Sequence, residues 1–173
     1  MPMYQKFVNL LYISCIIILF SFSVQSAEDL KSVGKYKDWE SFTLVEENNK
    51  ICFAQSIPIL RAPKKFERNP SRLFVTFRPA ENILDEVSAT AGYDFQKEKV
   101  VKAKTGKKTY DFFSKENFAW IVDSKEEQKF IKAMKKASRV MIIGRTDQGK
   151  QTIDHYSLMG FTKAYNTAKK SCS

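Results

Sequence analysis

The chain has 173 residues, of which 43% are hydrophobic and 13% aromatic, and its formal net charge is +10. This apolar content is sufficient for a packed core, so intrinsic disorder is excluded as the class of the whole chain. The positive charge indicates anionic partners such as anionic lipid, cell-envelope polymers or nucleic acid. The alternative is that the surplus lysine only keeps a small domain soluble.

Residues 1–26 have the pattern of a secretory signal peptide. Lys6 supplies a positive charge, residues 7–22 are almost entirely apolar, and small residues follow at Ser23 and Ser26. We expect cleavage after Ser26, and therefore no stable transmembrane span in the mature protein. An uncleaved membrane anchor is the alternative, although polar residues interrupt the apolar run.

Export changes the count of cysteines. Cleavage removes Cys15 and leaves Cys52 and Cys172. Two cysteines in an oxidising compartment are expected to pair, and this bridge would join the first predicted hairpin to the last predicted helix. The alternative is a pair of buried free thiols.

One domain is predicted over residues 37–173, after a flexible lead-in at residues 27–36. Alternation of apolar and polar residues between turn residues predicts about nine strands. These strands lie near residues 39–44, 51–56, 73–77, 87–91, 97–104, 108–113, 118–122, 139–145 and 151–158. Strands that follow one another without intervening helices favour an antiparallel β-sandwich with attached helices over a parallel α/β fold.

Two short helices are predicted, at about residues 124–137 and 159–171. Ser124 and Glu127 have the spacing of a capping box, which marks the start of the first helix. In the second helix the apolar residues share one face, and Cys172 falls on that face.

Basic residues gather in a loop near residues 59–71, in a hairpin near residues 97–108 and on one face of the first helix. Each group has a plain alternative as solvated surface or, in the hairpin, as edge protection. The candidate contacts for an anionic surface are Arg61, Lys64, Lys65, Arg68, Arg72, Lys129, Lys132 and Lys136.

Residues suited to catalysis are few. His155 is the only histidine, and its neighbour Asp154 would point to the opposite face of a strand, where it cannot orient the imidazole. The pairs Asp85-Glu86 and Glu126-Glu127 have the character of ordinary charged surface. We therefore expect no enzymatic activity, no cofactor and no metal, with an unrecognised hydrolase centred on His155 as an alternative.

Several segments, in their order along the chain, resemble the invasion-associated locus B family of exported bacterial proteins. They are the signal peptide, GKYKDWE, ICFAQS, RLFVTFRP, DEVSATAGY, FAWIVD with the AMKKAS helix, and YSLMGFTKAYN with the final cysteine. The resemblance implies an immunoglobulin-like β-sandwich in the periplasm of a Gram-negative bacterium, with secretion or surface display as alternatives. The two cysteines match the positions at which the family usually carries its pair, and no catalytic residue is implied.

The predicted function is binding without catalysis. The partners would be anionic cell-envelope components, reached through the basic surfaces, or another envelope protein. Export and the absence of a recognised module argue against nucleic acid. The alternative is a structural or stress-related periplasmic domain with no specific anionic ligand.

Overall fold

The computed structural model describes residues 29–46 and 49–173, and within these ranges the chain forms eleven strands and two α-helices. The strands are β1 (Lys31–Tyr36), β2 (Trp39–Glu46), β3 (Asn49–Ser56), β4 (Leu60–Ala62), β5 (Arg72–Arg78), β6 (Ile83–Thr90), β7 (Val101–Thr105), β8 (Lys108–Lys115), β9 (Phe118–Trp120), β10 (Arg139–Arg145) and β11 (Gln151–Ser157). The helices are α1 (Ser124–Met134) and α2 (Phe161–Ser171), and a short 3-10 turn covers Pro79–Glu81. The predicted signal peptide and its cleavage site lie outside the described residues.

All the strands join one antiparallel sheet in the order β1-β2-β3-β5-β6-β9-β8-β7-β10-β11-β4. Strand β8 makes this continuity possible, because residues 108–112 pair with β7 and residues 113–115 pair with β9. The mainly β, antiparallel character of the prediction is confirmed. The nine-strand immunoglobulin-like sandwich is wrong, since the hydrogen-bonded order runs unbroken through β8.

The sheet curls until its two ends meet. Trp39 on β2 donates its indole N–H to the carbonyl of Ser157 on β11, at 2.8 Å, although these strands are second and tenth in the order. Curling gives one sheet an enclosed concave side, on which its apolar side chains are buried together with those of the helices. The largest fully buried side chains include Trp39, Phe77, Phe112, Phe130, Tyr156 and Phe161.

Two strands were not predicted, and both are sheet edges. Strand β1 occupies most of the predicted flexible lead-in, and β4 lies inside the predicted basic loop. An edge strand has a neighbour on one side only, so one row of its backbone N–H and C=O groups is unpaired, and such strands are typically short or polar. They therefore lack the alternation of apolar and polar residues that identifies interior strands. Residues 31–36 of the predicted flexible lead-in therefore form a strand of the sheet.

Helix α1 packs on β6 and confirms the first predicted helix, with a different cap. Asp123, not Ser124, is the N-cap, and its carboxylate accepts the backbone N–H of Glu126 at 2.8 Å. The sequence fits a capping box in two registers, one residue apart, and the structure adopts the earlier one. Glu127 is consequently free to turn inward.

Helix α2 packs on β1, β2, β3 and β5, and its predicted apolar face is buried. Gly160 precedes it with φ +94°, and a β-carbon there would lie 1.8 Å from the carbonyl oxygen of Tyr36. A side chain at this position is therefore excluded both by backbone conformation and by contact with β1. Neither helix has the length and apolarity that would let it cross a bilayer, within the described part of the chain.

The predicted disulfide is confirmed. Cys52 on β3 is bonded to Cys172, which directly follows α2, with the Cα atoms 5.8 Å apart. The bond joins residues 120 positions apart and ties the last helix to the sheet.

Candidate anion-binding surface

The predicted basic contacts fall in two separate regions of the structure. One surrounds β4 and the loop after it, and the other follows the exposed side of α1. The structure also brings the α1 lysines close to the lysine-rich hairpin of β7 and β8, a juxtaposition that sequence spacing does not show.

Arg68, in the first region, is not available as a surface contact, contrary to the prediction. Its side chain is 1% exposed and forms a two-pronged ion pair with the equally buried Asp154 of β11. The guanidinium also donates to the carbonyl of Ala91, at 2.6 Å. A buried carboxylate needs a counter-charge, and Arg68 supplies it from the loop.

The rest of this region is only partly exposed. Arg61 donates to the carbonyl of Asn69 at 2.6 Å and is half-buried, and Arg72 is also half-buried. Lys64 and Lys65 remain exposed. Two of the five predicted contacts in this region, Lys64 and Lys65, are therefore exposed cations.

The second region is more open. Lys129, Lys132 and Lys136 are exposed because the opposite side of α1 carries the buried residues Phe130 and Ile131. Their spacing of three and four residues places them along one side of the helix and the turn after it.

These lysines line a depression of about 430 Å³ together with Lys108 of β8. A neighbouring depression shares Lys136 and adds Lys104 and Arg139. We call the two depressions together the lysine surface. Its cationic residues, which we call its members, are Lys104, Lys108, Lys129, Lys132, Lys136 and Arg139.

The lysine surface is electrostatically unbalanced. Lys129 is paired with Glu126 at 2.7 Å, and this hydrogen bond raises the pKa of Lys129. The other five members form no salt bridge with any residue of the described ranges. Their charges therefore add to a local positive field that falls off over the Debye length, about 8–10 Å at physiological salt.

The surroundings of His155 do not assemble a catalytic group among the described residues. His155 is half-buried on β11, while the carboxylate of the adjacent Asp154 is held by Arg68. The hydroxyl of Ser157 is buried and accepts the backbone N–H of Met159 at 3.2 Å. The same part of the chain contains no cluster of three or more His, Cys, Asp or Glu side chains suited to a metal ion.

Two acidic residues predicted to be ordinary surface charges are buried instead. Asp85 accepts hydrogen bonds from the hydroxyl of Tyr165 on α2 and from the amide of Gln128 on α1, the latter at 2.8 Å. Glu127 accepts the backbone N–H of Val87 at 2.7 Å. This network fastens both helices to β6.

The sequence contains a signal for the burial of Asp85 and Glu127. Asp85 is two and four residues from the buried Val87 and Ala89, so strand alternation places all three on the inner face. Glu127 is likewise three and four residues from the buried Phe130 and Ile131. Carboxylates generally prefer the surface, but these two are buried as the periodicity indicates because each accepts hydrogen bonds from donors inside the protein.

The Glu127 carboxyl predicts a dependence of stability on pH. Burial raises its pKa from 4.5 to about 7, with smaller contributions from the nearby Glu86 and Asp85. The folded chain therefore holds this proton more tightly than the unfolded chain, and the free energy of unfolding falls as pH rises from 4.5 to about 7. Glu127→Gln keeps the acceptor for Val87 and removes the charge. We expect it to stabilise the protein by about 3 kcal/mol at about pH 8 and by little at about pH 4.

Urea unfolding at the two pH values measures this effect. Glu126→Gln is the matched control, because it removes the neighbouring carboxylate, which is exposed. An equal gain at both pH values for Glu127→Gln, or the same pH-dependent gain in the control, would contradict the assignment.

Comparisons with family models, curated proteins and solved structures found no match for this chain. Function is therefore inferred from the chemistry of the chain's own surfaces.

Proposed function

We propose that this protein is an exported, non-enzymatic protein that binds anionic components of the cell envelope through the lysine surface. The observation that carries the proposal is the concentration of five cations without ion-pair partners among the described residues, around two adjoining depressions. Four of these five cations are lysines, whose ammonium groups are mobile point charges without the fixed fork of arginine. They suit distributed negative charge, such as phosphate-bearing lipids and polymers, better than one small anion of fixed shape.

Export is supported by two independent features. The pattern of residues 1–26 is that of a signal peptide. The disulfide between Cys52 and Cys172 is typical of an oxidising compartment. We place the protein in the periplasm of a Gram-negative bacterium, as a member of the invasion-associated locus B family, on the resemblance of its segments to that family.

Binding to vesicles tests the proposal. The protein recovered after export is sedimented with phosphatidylglycerol vesicles and, separately, with phosphatidylcholine vesicles. We expect binding to the anionic vesicles alone, strong at about 0.03 M salt and largely lost at about 0.3 M salt. An absence of binding at low salt would refute the proposal and favour the alternative in which the lysines only keep the domain soluble.

The double variant Lys132→Ala/Lys136→Ala locates the contact. A lysine near an anionic membrane contributes about 1 kcal/mol, so the pair should weaken vesicle binding roughly thirtyfold. The matched control is Lys64→Ala/Lys65→Ala, which removes the same charge from the exposed loop after β4. We expect a much smaller loss in the control. Equal losses would assign binding to net charge and contradict a specific role of the lysine surface.

A further inference from the structure

A second surface, with different chemistry, lies on the outer side of the sheet. A groove of about 530 Å³ crosses β3, β5, β6 and β9 and is lined by four aromatic side chains: Phe53, Phe74, Phe118 and Trp120. Phe118 is 44% exposed and the other three are half-buried. On β3 and β5 these residues alternate with the buried side chains that face α2, so the aromatic groove lies opposite the helix.

Strand register sets the distance between the two aromatic walls. Phe74 on β5 is opposite Ser88 on β6, and Ser88 is opposite Trp120 on β9. Two strand spacings, about 10 Å, therefore separate the backbones that carry Phe74 and Trp120. Phe53 extends the first wall and meets Phe74 edge to face, with ring centroids 6.1 Å apart.

The floor between the walls is polar. Thr76 and Ser88 both line the groove, and their hydroxyls form no hydrogen bond with residues 29–46 or 49–173. Hydroxyl groups in this position can donate to and accept from a ligand. An acyl chain would exclude water from the groove and would offer these hydroxyls no hydrogen-bond partner, which is unfavourable.

Charge along the groove is balanced. Arg78 and Lys115 contribute two positive charges, and Glu86 and Glu116 contribute two negative charges. Arg78 and Glu86 are already paired at 3.0 Å. A single-stranded nucleic acid would need a positively charged groove, so this charge balance is complementary to an uncharged ligand.

We propose that the aromatic groove binds a neutral saccharide. A sugar ring presents a face of C–H groups that packs on an aromatic ring, here Trp120, and a rim of hydroxyls that can reach Ser88 and Thr76. Arg78 and Glu86 supply charge-assisted hydrogen bonds at the side of the groove. The site goes beyond the proposed anionic binding, because the aromatic groove and the lysine surface share no residue.

The two tryptophans of the chain provide the test. Trp39 is 1% exposed, whereas Trp120 is only half-buried, so a change in fluorescence on adding sugar reports Trp120. The probes are maltotetraose and N,N′,N″,N‴-tetraacetylchitotetraose, titrated into the exported protein. We expect at least one of them to shift the emission to the blue and to protect it from acrylamide quenching.

Variants assign the binding to the groove. By calorimetry, Trp120→Ala and Phe74→Ala should each weaken binding of that probe by about tenfold or more, as expected for a lost stacking partner. Leu84→Ala is the matched control, because Leu84 is an exposed apolar residue of β6 that does not line the groove. Thermal unfolding confirms that each variant is folded before its affinity is compared.

The outcomes separate this proposal from the anionic one. Lys132→Ala/Lys136→Ala should bind the saccharide normally, and Trp120→Ala should bind anionic vesicles normally. A lack of response to both probes, or unchanged affinity in Trp120→Ala and Phe74→Ala, would overturn the saccharide site. Concentration-dependent dimerisation that Trp120→Ala abolishes would also overturn it, since a second copy would then occupy the groove.

Discussion

Replacing Cys172 with serine is expected to lower the free energy of unfolding by about 4 kcal/mol. The bond closes a loop between residues 120 positions apart, and in the chain-entropy model such a loop restricts the unfolded chain by about 4–5 kcal/mol. Native contacts of α2 remain in the variant, among them the hydrogen bond from Ser41 to the carbonyl of Ala164 at 2.8 Å. The loss therefore arises mainly in the unfolded state. Urea unfolding of the oxidised protein and the variant measures it.

The matched variants are Cys52→Ser and the double Cys52→Ser/Cys172→Ser. Each single change already breaks the bond, so the double variant should be little less stable than either. Reduction should lower the stability of the natural protein to that of the variants and leave the double variant unchanged. Additive losses in the double variant would show that the two sulfurs act separately.

Local sequence patterns predict most of the elements of this fold but not their arrangement. Every predicted strand and both helices occur, because interior strands alternate and α2 carries Phe161, Ala164, Tyr165 and Ala168 on one face. The edges β1 and β4 lack that alternation. The first half of β8 pairs with β7 and its second half pairs with β9, so that β8 connects two sets of strands. The apolar pattern of a single strand does not show which strands will pair with it.

The candidate site, like the fold, is only partly predictable from the sequence. The exposed lysines of α1 follow from helical spacing, but their meeting with Lys104 and Lys108 depends on how β7 and β8 pack beside the helix. The buried charges Arg68 and Asp154 were missed because charged residues are mostly exposed, and only a tertiary partner makes their burial tolerable.

Arg68→Met is expected to destabilise the protein by about 3–5 kcal/mol, the range observed when one member of a buried ion pair is removed. Asp154 is 1% exposed and receives two hydrogen bonds from the Arg68 guanidinium. Methionine fills much of the volume of the arginine stem, so the main cost is a buried carboxylate without its counter-charge. The double variant Arg68→Met/Asp154→Leu removes both charges and should regain much of the loss, a non-additivity that a double-mutant cycle measures.

The double-mutant cycle also distinguishes this charge effect from lost packing. A double variant that regains none of the loss would assign that loss to the hydrogen bond with the Ala91 carbonyl and to packing on Tyr93, whose ring centroid lies 5.7 Å from the guanidinium carbon.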